Sequence, residues 1–178
     1  MTVLDQFRLG GKRALITGGS RGLGRSMAQA FAEAGADVVL VGTDKKNLER
    51  ARQELSPLGR QVDHVVADFF SPEQTQQACQ RILADHGPIH VLVNNVGGRR
   101  ENVALEQTSL ETWQRLIDLN LTSVFLCTKL IGGAMLPRRS GRVINIASIC
   151  GQIATRNIHG RHYETAKAAI VGLTRAVA

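Results

Sequence analysis

Aromatic residues are scarce in this chain. They make up 4% of its 178 residues, with one tryptophan, one tyrosine and five phenylalanines. Proteins that hold single-stranded nucleic acid stack its bases on aromatic rings, and few such platforms exist here. Cysteine is rarer still. Cys79, Cys127 and Cys150 are odd in number and lack metal-ligand spacing, which argues against a disulfide framework or a bound metal and for reduced, mostly structural thiols. No apolar run approaches the roughly 18 residues of a membrane-spanning helix. The first apolar stretch, Ala14-Leu15-Ile16, is too short for a secretory signal, and Asp5 precedes it. The expectation is a cytoplasmic protein with neither membrane nor nucleic acid as partner. Linkers, repeats and low-complexity tracts are also missing.

Acidic residues are outnumbered, 15 against 22 lysines and arginines, for a net charge of +7. The basic residues are scattered rather than clustered, so they form no stripe of the kind nucleic acid requires. Solvated surface charge explains most of the excess. A phosphate-rich ligand would explain part of it.

What is present is enough for one domain with its own core: 43% of the residues are hydrophobic. Apolar runs at Arg13–Thr17, Val38–Val41, Val62–Ala67, Val91–Asn94 and Val143–Ala147 read as strands of a parallel sheet buried on both faces. Helical patterns lie between them. One sets Leu23, Met27, Phe31 and Ala34 on a single face. A second sets Leu48, Ala51 and Leu55 together before Pro57. A third opens with the capping pattern Ser71-Pro72-Glu73-Gln74 and carries Ala78, Cys79, Ile82 and Leu83. A fourth begins near Thr108-Ser109-Leu110-Glu111 and aligns Trp113, Ile117, Asn120, Val124, Cys127 and Ile131. Strands alternating with helices predict a doubly wound α/β fold.

Three features bear on chemistry. Thr17-Gly18-Gly19-Ser20-Arg21-Gly22-Leu23-Gly24 joins the first strand to the first helix. Glycines there permit a tight turn and let backbone N–H groups approach a pyrophosphate at a helix N-terminus. Tyr163 and Lys167 stand four residues apart, on one helix face. A tyrosine hydroxyl ordinarily titrates near pH 10, and a neighbouring cation favours its ionised form. Ser148 follows the last strand, and Asp68 and Asn94-Asn95 follow two others. Ligands of open α/β sheets bind at those carboxyl ends. Each feature alone is weak. A glycine cluster can be an ordinary turn, Tyr-x-x-x-Lys recurs by chance, Asp68 can be a turn residue, and Asn120 can be a satisfied core amide.

Taken in order, the glycine loop, Asn94-Asn95-Val96-Gly97, Ser148 and Tyr163-Glu164-Thr165-Ala166-Lys167 resemble the short-chain dehydrogenase/reductase family along essentially the whole chain. The resemblance implies a Rossmann-type doubly wound parallel sheet of order 3-2-1-4-5. Family members continue with more helix, two strands and a substrate-covering segment. The chain therefore reads as a single NAD(P)-binding domain over residues 1–178, incomplete at its C-terminus. The helix of Tyr163 is expected to run to Ala178, and the Val143 strand to form an exposed apolar edge.

The resemblance also implies residue roles. Thr17, Gly18, Ser20, Arg21, Gly22, Leu23, Gly24, Thr43, Asp68, Asn94 and Gly97 are expected to bind the cofactor, with Tyr163 and Lys167 at its nicotinamide ribose. Tyr163 would be the general acid/base, Ser148 would hold the substrate oxygen, and Asn120 would sit at a helix kink that relays protons to Lys167. NADP(H) is favoured over NAD(H), because Arg21 lies in the loop and Gly42 at the second-strand tip carries no charge. Asp44, 20 residues after Gly24, is the competing sign of NAD(H), unless it caps the next helix. The segment between Ser148 and Tyr163 offers Cys150, Gln152, Arg156, Asn157, His159 and His162 as pocket candidates, or as exposed loop residues. His90 stands where the family often has aspartate.

Phe7-Arg8-Leu9-Gly10-Gly11-Lys12 and the arginines after Asn94-Asn95 are similar to those of sugar-acid dehydrogenases such as gluconate 5-dehydrogenases. 3-Oxoacyl-ACP reductases are the other likeness. The implied reaction moves a hydride between cofactor and a small-molecule ketone or secondary alcohol, in a homodimer or homotetramer. The alternative is a non-catalytic dinucleotide-binding or oligomerisation fragment.

Overall fold

A computed structural model describes residues 2–153 and 161–178. Its strands are β1 Arg13–Thr17, β2 Asp37–Gly42, β3 Val62–Val66, β4 Val91–Asn94 and β5 Arg142–Asn145. They form one parallel sheet in the expected order, β3-β2-β1-β4-β5. Because successive side chains point to opposite faces, each strand feeds two cores. Leu15, Val39, Val41 and Leu92 pack with Cys79 and Ile82 of α3 (Pro72–Asp85) and with Cys127 and Ile131. Ala14, Ile16, Val38, Leu40 and Val93 pack with Ala28 and Ala32 of α1 (Gly22–Glu33) and with Leu48 and Leu55 of α2 (Lys45–Leu55).

Strand ends differ from expectation where pairing, not apolarity, sets them. β2 gains Asp37 and Gly42 because these pair with Arg13 and Val66. β5 stops at Asn145, opposite Asn94, rather than at Ala147. It is an edge strand, with Ile144 42% exposed. The buried face of α1 is also turned one residue from the expected stripe. Gly24, Ala28 and Ala32 are buried, Met27 and Phe31 flank them, and Leu23 is exposed. The cause is close approach: a Cβ on Gly24 would collide with the Gly18 carbonyl oxygen.

The capping signals hold. Ser71, Ser109 and Asp44 each accept a hydrogen bond from the backbone N–H three residues on, at 3.0–3.1 Å. From Ser109 runs one continuous rod, Leu110–Met135. It comprises α4 (Leu110–Ile117), a π-turn (Asp118–Thr122), α5 (Ser123–Cys127), a second π-turn (Thr128–Gly132) and a 3-10 end. By length and composition alone this helix could cross a membrane. Its apolar residues Leu116, Leu119, Val124, Cys127 and Ile131 are buried in the fold, as in a core helix. Trp113 and Ile117, expected on the same stripe, are only half-buried. The last helix, α6, spans Arg161–Ala176 and stops short of Ala178.

His90 has a physical role. Its Nδ1 accepts the Arg13 N–H at 3.0 Å, which requires the neutral ring. Burial and the charges of Lys12, Arg138 and Arg13 push its pKa down, consistent with that role. Cys79 and Cys127 are free thiols in sulfur contact at 3.7 Å across the core.

Candidate active site

The carboxyl ends of β1, β4 and β5 open onto a cleft of about 820 Å³, within the range of small-molecule sites. One end is the glycine loop. Gly18 and Gly22 have φ of +66° and +54°, a turn that only glycine makes freely. Gly18 N–H donates to the Val41 carbonyl at 2.7 Å, tying the loop to β2. No side chain caps α1, so its first N–H groups keep the positive end of the helix dipole available to an anion.

Ser20, Arg21, Gly22, Leu23, Gly24, Thr43, Asp68, Gly97, Ser148, Tyr163 and Lys167 all line this cleft, with Gly18. Thr17 and Asn94 stand behind this lining. The Thr17 hydroxyl donates to the Val93 carbonyl and accepts the N–H groups of Asn95 and Val96. Asn94, 2% exposed, reaches into the sheet and donates to Asn145 Oδ1 at 2.8 Å and Thr128 Oγ1 at 3.1 Å. Both residues brace the wall from behind. Asn95 takes the cleft position and donates to the carbonyls of Thr17 and Gly18. Asp44 caps α2 and lies off the cleft. Asp68 accepts Phe70 N–H at 3.0 Å, so it also serves the turn.

At the other end, α6 presents Tyr163 and Lys167. Lys167 Nζ donates to the Ile146 carbonyl at 2.7 Å, just past the end of β5. Lys167 is 3% exposed, and burial pulls its pKa down. Two cations flank the Tyr163 ring: Lys167 Nζ lies 5.8 Å and Arg99 Cζ 5.1 Å from its centroid. Ser148 Oγ accepts Cys150 N–H at 3.2 Å, capping the turn Ile149–Gly151. That bond leaves its O–H free to donate.

Asn120 sits in the first π-turn, fully buried. It donates to the Leu116 and Gly98 carbonyls at 2.9 and 3.0 Å, and its Oδ1 accepts Gly98 N–H at 2.8 Å. The amide clamps the Gly97–Gly98 loop. The bare face of Gly97 lets Asn120 and Lys167 approach the same point.

Of the pocket candidates after Ser148, Arg156, Asn157 and His159 lie outside the described residues. Gln152 is exposed and Cys150 half-buried. His162 is buried, and its Nε2–H donates to the Arg99 carbonyl at 2.9 Å. It is an anchor, not a pocket residue. Arg99 also grips both Glu164 oxygens at 2.9 and 3.0 Å. Sequence reading noted the arginines after Asn94-Asn95 only as a family likeness, and the contacts of Arg99 with Glu164 and His162 carry no local signal.

The sequence profile described as "short chain dehydrogenase" matches residues 12–178. The chain is 39% identical over 166 residues to a 3-oxoacyl-[acyl-carrier-protein] reductase of Synechocystis, covering 93% of this chain and 66% of that protein. It is 34% identical to a gluconate 5-dehydrogenase of Gluconobacter oxydans, covering 98% of this chain and 67% of that protein. It thus spans about two thirds of the length of these relatives. The crystal structure of an NADPH-dependent 3-quinuclidinone reductase from Rhodotorula rubra superposes with a TM-score of 0.91 at 30% identity, covering 99% of this chain and 66% of that one.

Proposed function

Since the chain belongs to the short-chain dehydrogenase family, we propose that it is the dinucleotide-binding domain of an NAD(P)-dependent oxidoreductase acting on a ketone/secondary-alcohol pair. Residues 1–178 belong to that one domain. The observation that carries the reading is a single cleft lined by the glycine loop at one end and by Ser148, Tyr163 and Lys167 at the other. The residues fit a dinucleotide: the uncapped start of α1 suits a pyrophosphate, and Gly97 leaves space beside Lys167. When bound, the nicotinamide supplies or accepts the hydride.

The chain's own groups handle the proton. Tyr163 O–H donates to the carbonyl oxygen during reduction, or its ionised form takes the hydroxyl proton during oxidation. The Ser148 hydroxyl donates to the same oxygen and orients it. Lys167 stabilises the ionised tyrosine by charge, and its bond to the Ile146 carbonyl fixes its amine. Asn120 holds the Gly97–Gly98 loop against Lys167.

NADP(H) is the preferred cofactor in this reading, with Arg21 facing the 2′-phosphate. Support comes from Arg21 and Thr43 on the cleft wall and from Asp44, whose carboxylate is engaged by Asn47 at 3.0 and 2.5 Å. Titration of NADPH and NADH by fluorescence tests this. NADPH should bind at least ten times more tightly, and Arg21→Ala should remove that preference. Equal or tighter NADH binding, unchanged in Arg21→Ala, would reject it and promote Asp44.

A further inference from the structure

His162, Tyr163 and Glu164, in the first turn of α6, all meet one residue of the loop after β4. His162 Nε2–H donates to the Arg99 carbonyl at 2.9 Å. Glu164 accepts from both Arg99 Nη atoms at 2.9 and 3.0 Å. Between these two contacts the Tyr163 ring lies against the Arg99 guanidinium, with Cζ 5.1 Å from its centroid. Successive residues of a helix point in different directions, so one residue reaches all three only by lying across the turn. Arg99 does this with its carbonyl at one end and its guanidinium at the other.

Arg99 is itself held. Asn120 clamps the preceding Gly98 at its N–H and its carbonyl. The Arg99 and Glu164 side chains are only 21% and 13% exposed, unlike the open surface pairs that solvent weakens. Arg161, 3.8 Å from Glu164, is a second cation for that carboxylate. Arg99 stands behind the cleft lining, to which Tyr163 belongs. Its guanidinium thus supports the ring from outside the cleft. Such support matters because a helical tyrosine has two open χ1 wells, and α6 by itself fixes only the backbone.

We propose that Arg99 is a positioning residue for Tyr163: its guanidinium, fixed on Glu164, is the backing that holds the ring in the orientation carrying the hydroxyl to the cleft. The proposal rests on the oxidoreductase reading of the same cleft. A planar guanidinium suits both tasks, since its edge binds a carboxylate through two N–H groups while its face rests on an aromatic ring. Glu164 answers the charge of Arg99, so Arg99 acts through placement. Lys167 remains the cation that favours the ionised hydroxyl.

The test uses the complete gene product. NADPH affinity is measured first, by fluorescence. Turnover is then followed with two probes, acetoacetyl-coenzyme A with NADPH and gluconate with NADP⁺. Arg99→Met should lower kcat by about 10–100-fold, the scale of a displaced catalytic group. KM and NADPH affinity should stay within a factor of about two. Arg99→Lys should fall nearly as far, because an ammonium keeps the charge and lacks the fork. Glu164→Ala should also lower kcat, yet add nothing once Arg99→Met is present, since both act through one contact.

Tyrosine placement is also read without a substrate, by fluorine NMR of protein labelled with 3-fluorotyrosine. The Tyr163 signal is the one lost in Tyr163→Phe. Arg99→Met and Glu164→Ala should each shift or broaden it, and Glu164→Ala should not move it further once Arg99→Met is present. Where neither probe is turned over, this signal decides. An unmoved signal, or Arg99→Met with more than about half of wild-type kcat, overturns the proposal. Full turnover in Arg99→Lys overturns it and assigns Arg99 a role of charge alone. Joint loss of NADPH affinity and melting temperature in Arg99→Met overturns it too, leaving Arg99 a prop of the fold. Failure of the unaltered protein to bind NADPH sinks the oxidoreductase reading and this proposal with it. NADPH binding with an unmoved Tyr163 signal sinks this proposal alone.

Discussion

Lys167 is the residue whose burial and charge conflict most. It is 3% exposed, and its ammonium donates to the Ile146 carbonyl. Its folded pKa is lowered from 10.5 because burial penalises the ammonium. Between that lowered value and 10.5 the unfolded chain binds more protons than the folded one, so stability rises with pH. Below that window the full cost of burying the charge is present. Removing the charge should therefore help most near neutrality. Lys167→Met should melt at or above the wild-type temperature at pH 7, and its advantage should shrink as the pH climbs toward 10.5. Melting curves from pH 7 to 10.5 check this; an advantage that grows with pH would contradict it.

The same scale shows what the sequence made legible. Tyr163, Lys167 and the glycines were readable because their chemistry depends on local spacing. Asn94 and Asn95 were not separable, since adjacent strand residues differ only in the face they present, and pairing with Asn145 decides it. The roles of His162 and Arg99 depend on a contact between residues 63 positions apart.

At the scale of elements, caps and apolar periods gave the helices, and the order of elements gave the sheet. The π-turns were invisible as such. The first lies where Asn120 captures the Leu116 carbonyl, a register shift that no propensity encodes. The helices also show faces that the sheet does not cover. α5 exposes Phe125, and Leu136 beyond it is 75% exposed. With Leu173 and Val177 they line an apolar groove of about 630 Å³ beside β5. Ala166 and Ile170, on the inner side of α6, are fully buried, whereas Ala169 and Leu173 are only half-buried. The complete gene product is expected to be a homodimer or homotetramer through these outer helix faces. Light scattering at micromolar concentration checks this, and Phe125→Glu should shift the population toward monomer. A monomer in the unaltered protein would contradict it.

For the whole molecule, the parallel order β3-β2-β1-β4-β5 is what makes a site. It sets the carboxyl ends of β1, β4 and β5 side by side, so Gly18 and Tyr163 line one cleft although far apart in sequence. Within the cleft the positive charge stands on Arg21, Arg100 and Lys167. The central claim is that this cleft binds the dinucleotide and that Tyr163 moves the proton. The most direct measurement is turnover and NADPH affinity of Tyr163→Phe in the complete gene product. The change removes one hydroxyl and keeps the ring between Arg99 and Lys167. Turnover should fall by about 10²–10⁴-fold with NADPH affinity within a factor of about two. More than about a tenth of wild-type turnover in that variant would contradict the account.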